Sequence, residues 1–346
     1  MLKKSILIII IIICSIVCVS CNMFSSATDK YLKAFEITSG VKSLNSKTEC
    51  RISIDASKAS PELKNRLEPF KEVSFNIDQA TDNMAKKSET RVFIDVGEIM
   101  MDMLMYCNHD RVLLKSIITG NKYISLIPKL EKLEEPPVSE NYYKYEKLYE
   151  ELAVIWKESI KNEILSKEGS MVKNTPDGDI KVTQLSLELT DERAKAILGK
   201  LADFLSRDEI IKEMFVESGI QYINDSISHD RKIKVLEDML EKLPETIKEL
   251  EDKFLLEKLK FTARIDRDYY IIDETVEMRL LIKDPKEIRI GLVANTTRWN
   301  INRPVEVNVP EVYQDELIDI SEFDFKDSDV LKESIMKKIS QYLNGI

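Results

Sequence analysis

The chain has 346 residues, with 51 basic and 61 acidic side chains and a net charge of −10. No basic tract interrupts that acidity. This argues against a nucleic-acid partner, because such binding rests on Lys and Arg neutralising phosphates, and it gives no pull toward anionic lipid headgroups. About 325 residues follow position 21, enough for one large domain or two smaller ones with a substantial core.

Lys3 and Lys4 precede an apolar run, Ile6–Val19, that ends in Cys18-Val19-Ser20-Cys21. A basic segment, an apolar core and a small residue before a cut site are the three parts of a secretory signal. The run is shorter than the roughly 18 to 20 residues of a permanent span. A cysteine directly after the small residue resembles the lipobox of bacterial lipoproteins, here with Cys18 where that family usually has an aliphatic residue. The resemblance implies a lipoprotein signal over 1–21 and lipid attached at Cys21. An ordinary cleaved signal and an uncleaved anchor are the competing readings. Loss of Lys3 and Lys4 takes the mature part to −12, so attachment would depend on acyl chains, two or more of which hold firmly. Cys50 and Cys107 remain, either as two free buried thiols or as a disulfide, which is allowed outside the cell.

Residues 22–28 read as a tether, and Asp29–Thr38 as a first helix with Tyr31, Leu32 and Phe35 on one side. Cys50, Ile52 and Ile54 then alternate with charged and polar residues, as do Val73, Phe75 and Ile77, and next Val92, Ile94 and Val96. A period of two gives each strand one dry and one wet face. The meander continues through Ile99–Cys107, Val112–Ile118 and Tyr123–Ile127, with turns at 108–110 and 119–121. Tyr145, Leu148, Tyr149, Leu152, Ile155, Trp156 and Ile160 recur at helical spacing, and Glu168-Gly169 is expected to end that helix. Asn174–Asp179 reads as a hairpin turn before a strand carrying Leu185, Leu187 and Leu189. Thr190 is a plausible N-cap, Ser206-Arg207-Asp208-Glu209 fits a capping box, and Pro244 marks a helix restart. Period two returns around Phe261–Ile265, Val276–Ile282, Ile288–Ala294 and Val305–Val309. The acidic tail ends in a predicted amphipathic helix from Val330 to Leu343.

These segments predict an α+β domain. It is a single curved antiparallel sheet of about ten or eleven strands, an open half-barrel covered on its concave face by inserted helices. The domain is placed at 29–313, with helical insertions at about 140–167 and 190–256, and the tail at 314–346. A lipoprotein signal, a short helix, a one-side-wet meander, a helical insertion and a closing meander together resemble bacterial lipoproteins of the LolA/LppX type. Asn302-Arg303-Pro304-Val305-Glu306-Val307-Asn308-Val309-Pro310 resembles the last-strand pattern of Gram-positive members. The resemblance implies a half-barrel closed by helices and a cavity that holds lipid or acyl chains. The helical insertion from Thr190 to Leu256 is long for that family, and its extra helices would fill the cavity.

Beyond the signal segment, whose Cys18-Val19-Ser20-Cys21 has CxxC spacing, the chain carries no HExxH, CxxC, GxSxG or phosphate-binding glycine loop, and it has only two histidines, His109 and His229. This leads to the expectation of a non-enzyme with no cofactor and no metal. Asp177-Gly178-Asp179 lacks the spacing of a calcium loop and reads as a turn. The most suggestive feature is methionine. Met101, Met103 and Met105 share a strand phase, and soft unbranched thioethers suit a wall for variable apolar ligands. With Trp156 they form the candidate ligand site, set against ordinary core packing. Two further readings stand beside a membrane-anchored, extracytoplasmic carrier of an apolar ligand. One is a non-catalytic envelope scaffold with a filled core that binds an envelope protein. The other is an envelope hydrolase using His109 or His229.

Overall fold

The computed structural model describes residues 27–319, except 98, 109–110, 117–118, 120–121, 126–150, 162, 164, 210, 213–215, 217–227, 251, 284–286 and 314–315. The signal segment, Cys21, His109 and the Val330–Leu343 helix lie outside the described residues. In chain order the elements are α1 (Ala27–Ser39), β1 (Ser43–Asp55), α2 (Pro61–Leu67), β2 (Glu72–Asp82), β3 (Lys87–Val96), β4 (Ile99–Asn108), β5 (Arg111–Ser116) and β6 (Tyr123–Ser125). After α3 (residues 151–160) come β7 (Ser166–Thr175), β8 (Gly178–Glu188), α4 (Asp191–Arg207), α5 (His229–Glu241), α6 (Leu243–Leu250), β9 (Phe254–Ile265), β10 (Ile271–Ile282), β11 (Ile288–Trp299) and β12 (Leu317–Asp319). Among the described residues no helix is long and apolar enough to cross a membrane.

The strands form one open, twelve-stranded sheet in the order β12-β6-β5-β4-β3-β2-β1-β11-β10-β9-β8-β7. Two consecutive meanders, β1–β6 and β7–β11, are therefore joined edge to edge by β1 against β11. The β1–β11 register runs from Asn45↔Trp299 to Asp55↔Arg289. All pairs are antiparallel except β12 with β6. The start of the predicted tail thus contributes an edge strand, and the sheet has one strand more than expected.

The main core lies on one face of β8–β11. Leu185, Leu187, Phe261, Ala263, Val276, Met278, Leu292 and Ala294 meet α1 through Tyr31, Leu32 and Ala34, and α3 through Leu152, Trp156 and Ile160. Helix α4 adds Ala194, Ile197, Leu201 and Ala202 at helical spacing, and α6 adds Leu243 and Ile247. The Thr190 side chain accepts the Arg193 N–H at 3.3 Å, as an N-cap does. Pro244 sits in the first turn of α6. A second cluster packs Leu63 and Leu67 of α2 against Phe254, Leu280, Ile282 and Ile288.

The opposite face of β7–β11 is tied by polar side chains. Arg264 donates to Gln184 Oε1 at 2.8 Å and to the Asp273 carboxylate, and Thr297 donates to Asp273 at 2.9 Å. Lys173, from β7, reaches the same carboxylate at 2.6 Å. Asp273 is only 1% exposed, so its charge is balanced by Arg264 and Lys173 instead of by water. The far half of the β7–β8 hairpin thus leans across the sheet. At its tip Asp177 accepts the Asn300 N–H at 2.9 Å. Along the same face Glu168 accepts from Gln184, Ser186 and Lys260.

Three local expectations are corrected. Helix α3 ends at residue 160, and Glu168-Gly169 lies inside β7 as a bulge, where Gly169 supplies φ +120°. The capping residue near 206–209 is Asp208, whose Oδ1 accepts the Ile211 N–H at 3.0 Å. Ser206 instead donates to the Asp203 carbonyl. Val305–Val309 forms no strand. Asn300 and Asn302 take φ of 52° and 56°, a left-handed conformation that Asn tolerates and an extended strand does not. Asn302 and Arg303 are then tied to β1, where the Ser43 hydroxyl donates to the Arg303 carbonyl at 2.6 Å. Pro304 and Pro310 withhold ladder donors from the rest of that run.

Two outcomes test the polar face. Asp273→Ala leaves Arg264 and Lys173 without their buried counter-charge, and urea unfolding should show a loss of about 3–5 kcal/mol. The hydrogen bonds from Ser186, Gln184 and Lys260 lower the Glu168 pKa from 4.5 to about 2. Because the folded pKa is depressed, the unfolded state binds the proton first as pH falls. The stability difference between wild type and Glu168→Gln should be complete above pH 4.5 and vanish on approach to pH 2.

Candidate functional site

The face of the sheet that carries the core can be followed from strand to strand through its register. Leu187 pairs with Phe261, Phe261 with Val276, and Val276 with Ala294. Ala294 pairs with Cys50, Cys50 with Phe75, Phe75 with Ile94, and Ile94 with Met101. Paired residues point to the same face, so this is one unbroken apolar row across eight strands. Its two ends differ in burial. Leu187, Phe261, Val276 and Ala294 are buried under helices, whereas Cys50, Phe75, Ile94 and Met101 are half-buried.

Met103 and Met105 extend the row's outer end. Met103 lies between Val92 and Ser116, and Met105 between Thr90 and Leu114. All three methionines share the predicted phase and are half-buried. Met100, of opposite phase, is 66% exposed. On that opposite face Arg91 donates to Asp102 at 3.0 Å across the β3–β4 pair. These contacts hold the thioethers on the apolar side, where they supply an adaptable surface.

Trp156 is not beside them. It is 3% exposed and meets Phe261 of β9 edge to face, with ring centroids 4.9 Å apart. Six strand steps of about 4.8 Å separate β4 from β9 along the sheet, and the core cluster that holds Trp156 includes none of the three methionines. The sequence-based grouping therefore divides into a half-buried methionine strand and a packed tryptophan. Cys50 and Cys107 form no disulfide and are half-buried, and both lie on the methionine-bearing face. His229 opens α5.

Among the described residues, three buried side-chain polar atoms have no hydrogen-bond partner: Trp156 Nε1, Ser159 Oγ and Asn108 Oδ1. Trp156 and Ser159 stand one helical turn apart, and Asn108 ends the methionine strand. Among the described residues, no group of three or more His, Cys, Asp or Glu side chains is placed to hold a metal ion. Asp177, which the sequence places in a turn, is engaged by Asn300 and by Arg303 at 3.7 Å.

No family model and no curated protein matches the chain. Among solved structures it is similar to a β-barrel-like protein of a domain of unknown function, DUF1849, from Brucella abortus. The identity is 9% and the TM-score 0.21, over 75% of this chain and 100% of that one.

The orphan indole donor gives a test of Trp156. Trp156→Phe keeps a ring against Phe261 and removes the unsatisfied N–H, so thermal and urea unfolding should show a loss below about 1.5 kcal/mol. Trp156→Ala opens a cavity in the core and should cost about 3–5 kcal/mol.

Proposed function

We propose that this protein is a lipoprotein held by lipid on Cys21 at the extracytoplasmic face of a bacterial membrane, where it binds an apolar, lipid-like ligand without catalysing a reaction. In this reading the twelve-stranded sheet curves as a half-barrel with helices on its concave side. The ligand lies along β2–β4, against Phe75, Ile94, Met101, Met103 and Met105.

The observation that supports it most is the gradient of burial along a single apolar row. Helices occupy the β8–β11 end, while the β1–β4 end keeps apolar side chains half-exposed on the same face. A contiguous apolar surface of that kind is costly to leave in water. Methionine suits acyl chains of varying length better than branched side chains do, because its unbranched thioether adapts to shape. The non-catalytic scaffold that binds an envelope protein is the second reading. It draws on the dense packing at the other end, where Ile160, Leu185 and Ile265 are fully buried.

The test is lipid extraction and native mass spectrometry of the detergent-purified full chain, followed by titration with a fluorescent fatty acid. Replacing Met101, Met103 and Met105 together by Ser should weaken binding at least tenfold, about 1.4 kcal/mol, with Trp156→Phe unchanged. A chain that carries no lipid, does not bind the probe and co-purifies with a stoichiometric envelope protein would favour the scaffold.

A further inference from the structure

On the face away from the core, one cross-strand row runs Arg279, Gly291, Ser53 and Glu72 over β10, β11, β1 and β2. One step further along the strands, Asp55 pairs with Arg289. The segment from Ala56 to Lys71, with α2 in its middle, folds beside this row and leaves an open groove of about 540 Å³. That volume lies within the roughly 300–1,000 Å³ of small-ligand sites.

The floor of the groove is bare for a steric reason. A Cβ on Gly291 would stand 2.6 Å from Ser53 Oγ, so a side chain there would displace the serine and fill the space. Glycine inside a strand weakens it and marks a place where something approaches the backbone closely. Ser53 is exposed here, with its hydroxyl free to donate.

The charges lining the groove are unevenly matched. Asp55 accepts the Ser57 N–H at 2.9 Å and faces Arg289. Glu72 pairs with Arg51 at 3.1 Å, and Glu68 with Lys71 at 3.7 Å. Arg289 is held by Glu257 at 3.2 Å. Arg279 and Lys64 line the same groove and, among the described residues, form no ion pair. Lys258 lies directly across from Arg279 in the β9–β10 register, but its ammonium is paired with Glu277, so the groove's free positive charge comes from Arg279 and Lys64. In a chain with ten more carboxylates than cations, two unpaired cations over an empty glycine floor describe a place for an anion.

We propose that this groove binds the oxyanion of a small polar ligand, a phosphate or carboxylate. The Arg279 guanidinium grips two of its oxygens, the Lys64 ammonium adds charge from α2, and the Ser53 hydroxyl donates from the floor. The guanidinium fork suits either oxyanion, because its paired N–H groups match two adjacent oxygens. This site is on the other face of the sheet from the apolar row and does not depend on that row holding a lipid.

The test is calorimetric titration of the full chain in detergent, at low ionic strength, with inorganic phosphate and separately with succinate, using chloride as the control. Saturable binding of at least one of them is expected, with the stronger of the two identifying the ligand class. Affinity should fall at least tenfold in Arg279→Gln, several-fold in Lys64→Gln and at least tenfold in Gly291→Ala, and it should weaken with added salt. Arg279 and Lys64 are exposed, so their variants keep the test valid if Gly291→Ala perturbs the strand. Binding no tighter than that of chloride, or binding unchanged by Arg279→Gln, overturns the proposal.

Discussion

The structure depends on one long-range pairing, β1 against β11. Each meander can form from neighbouring hairpins, but only this seam makes them a single sheet. Thr48 and Thr296, 248 residues apart in the chain, share a hydrogen bond of 2.9 Å across it. Closing so long a loop costs entropy that grows only slowly with its length, and eleven register pairs offset that cost. Just past the end of β11, Asn302 strengthens the join. Its N–H donates to the Ser43 carbonyl at 2.9 Å, and its Oδ1 accepts the Lys42 N–H at 2.7 Å.

The seam also makes the two faces continuous. On one face it carries the apolar row from Ala294 to Cys50, linking the packed end at β8–β11 to the half-buried end at β1–β4. On the other face it sets Gly291 beside Ser53, between Arg279 and Glu72. The polar ties around Asp273 hold the β7–β8 hairpin against that second face of the C-terminal meander. That meander therefore has a greasy core on one side and paired charges on the other.

Much of this was legible in the sequence, because period-two alternation reports directly on which face is dry. The phases of Cys50 and Ile52, of Phe75 and Ile77, and of Met101, Met103 and Met105 all proved correct. So did the helical stripe through Leu152, Trp156 and Ile160. Strand partners were less legible, since alternation gives a strand's faces and not its neighbour. Trp156 and the methionines were grouped because both face inward, yet β9, against which Trp156 packs from its helix, lies six strand steps from the methionine strand. Val305, Val307 and Val309 alternate as a strand does, but Asn300 and Asn302 turn the chain out of the ladder before that run begins. The bulge at Gly169 could have been suspected from a glycine flanked by polar residues of strand-like phase. The signal for the groove was Gly291 itself, a glycine inside a strand and flanked by the apolar Ile290 and Leu292.

Strand alternation couples the two faces at the seam. Gly291 and Leu292 are adjacent, as are Ser53 and Ile52, so each strand places one of the pair in the groove and the other toward the core. A slip of one residue between β1 and β11 would turn Ile52 to water and bring Ser53 into the apolar row, and burial forbids this. The packing of Leu292, with Ile52 against it, on the core side therefore fixes where Ser53 and the bare glycine stand on the other. The groove inherits its geometry from the core, and its flexible parts are the long side chains of Arg279 and Lys64 at its rim. Changes in core volume at Leu292 would reach the groove through displacement of the strand backbone, without any contact between the two sites.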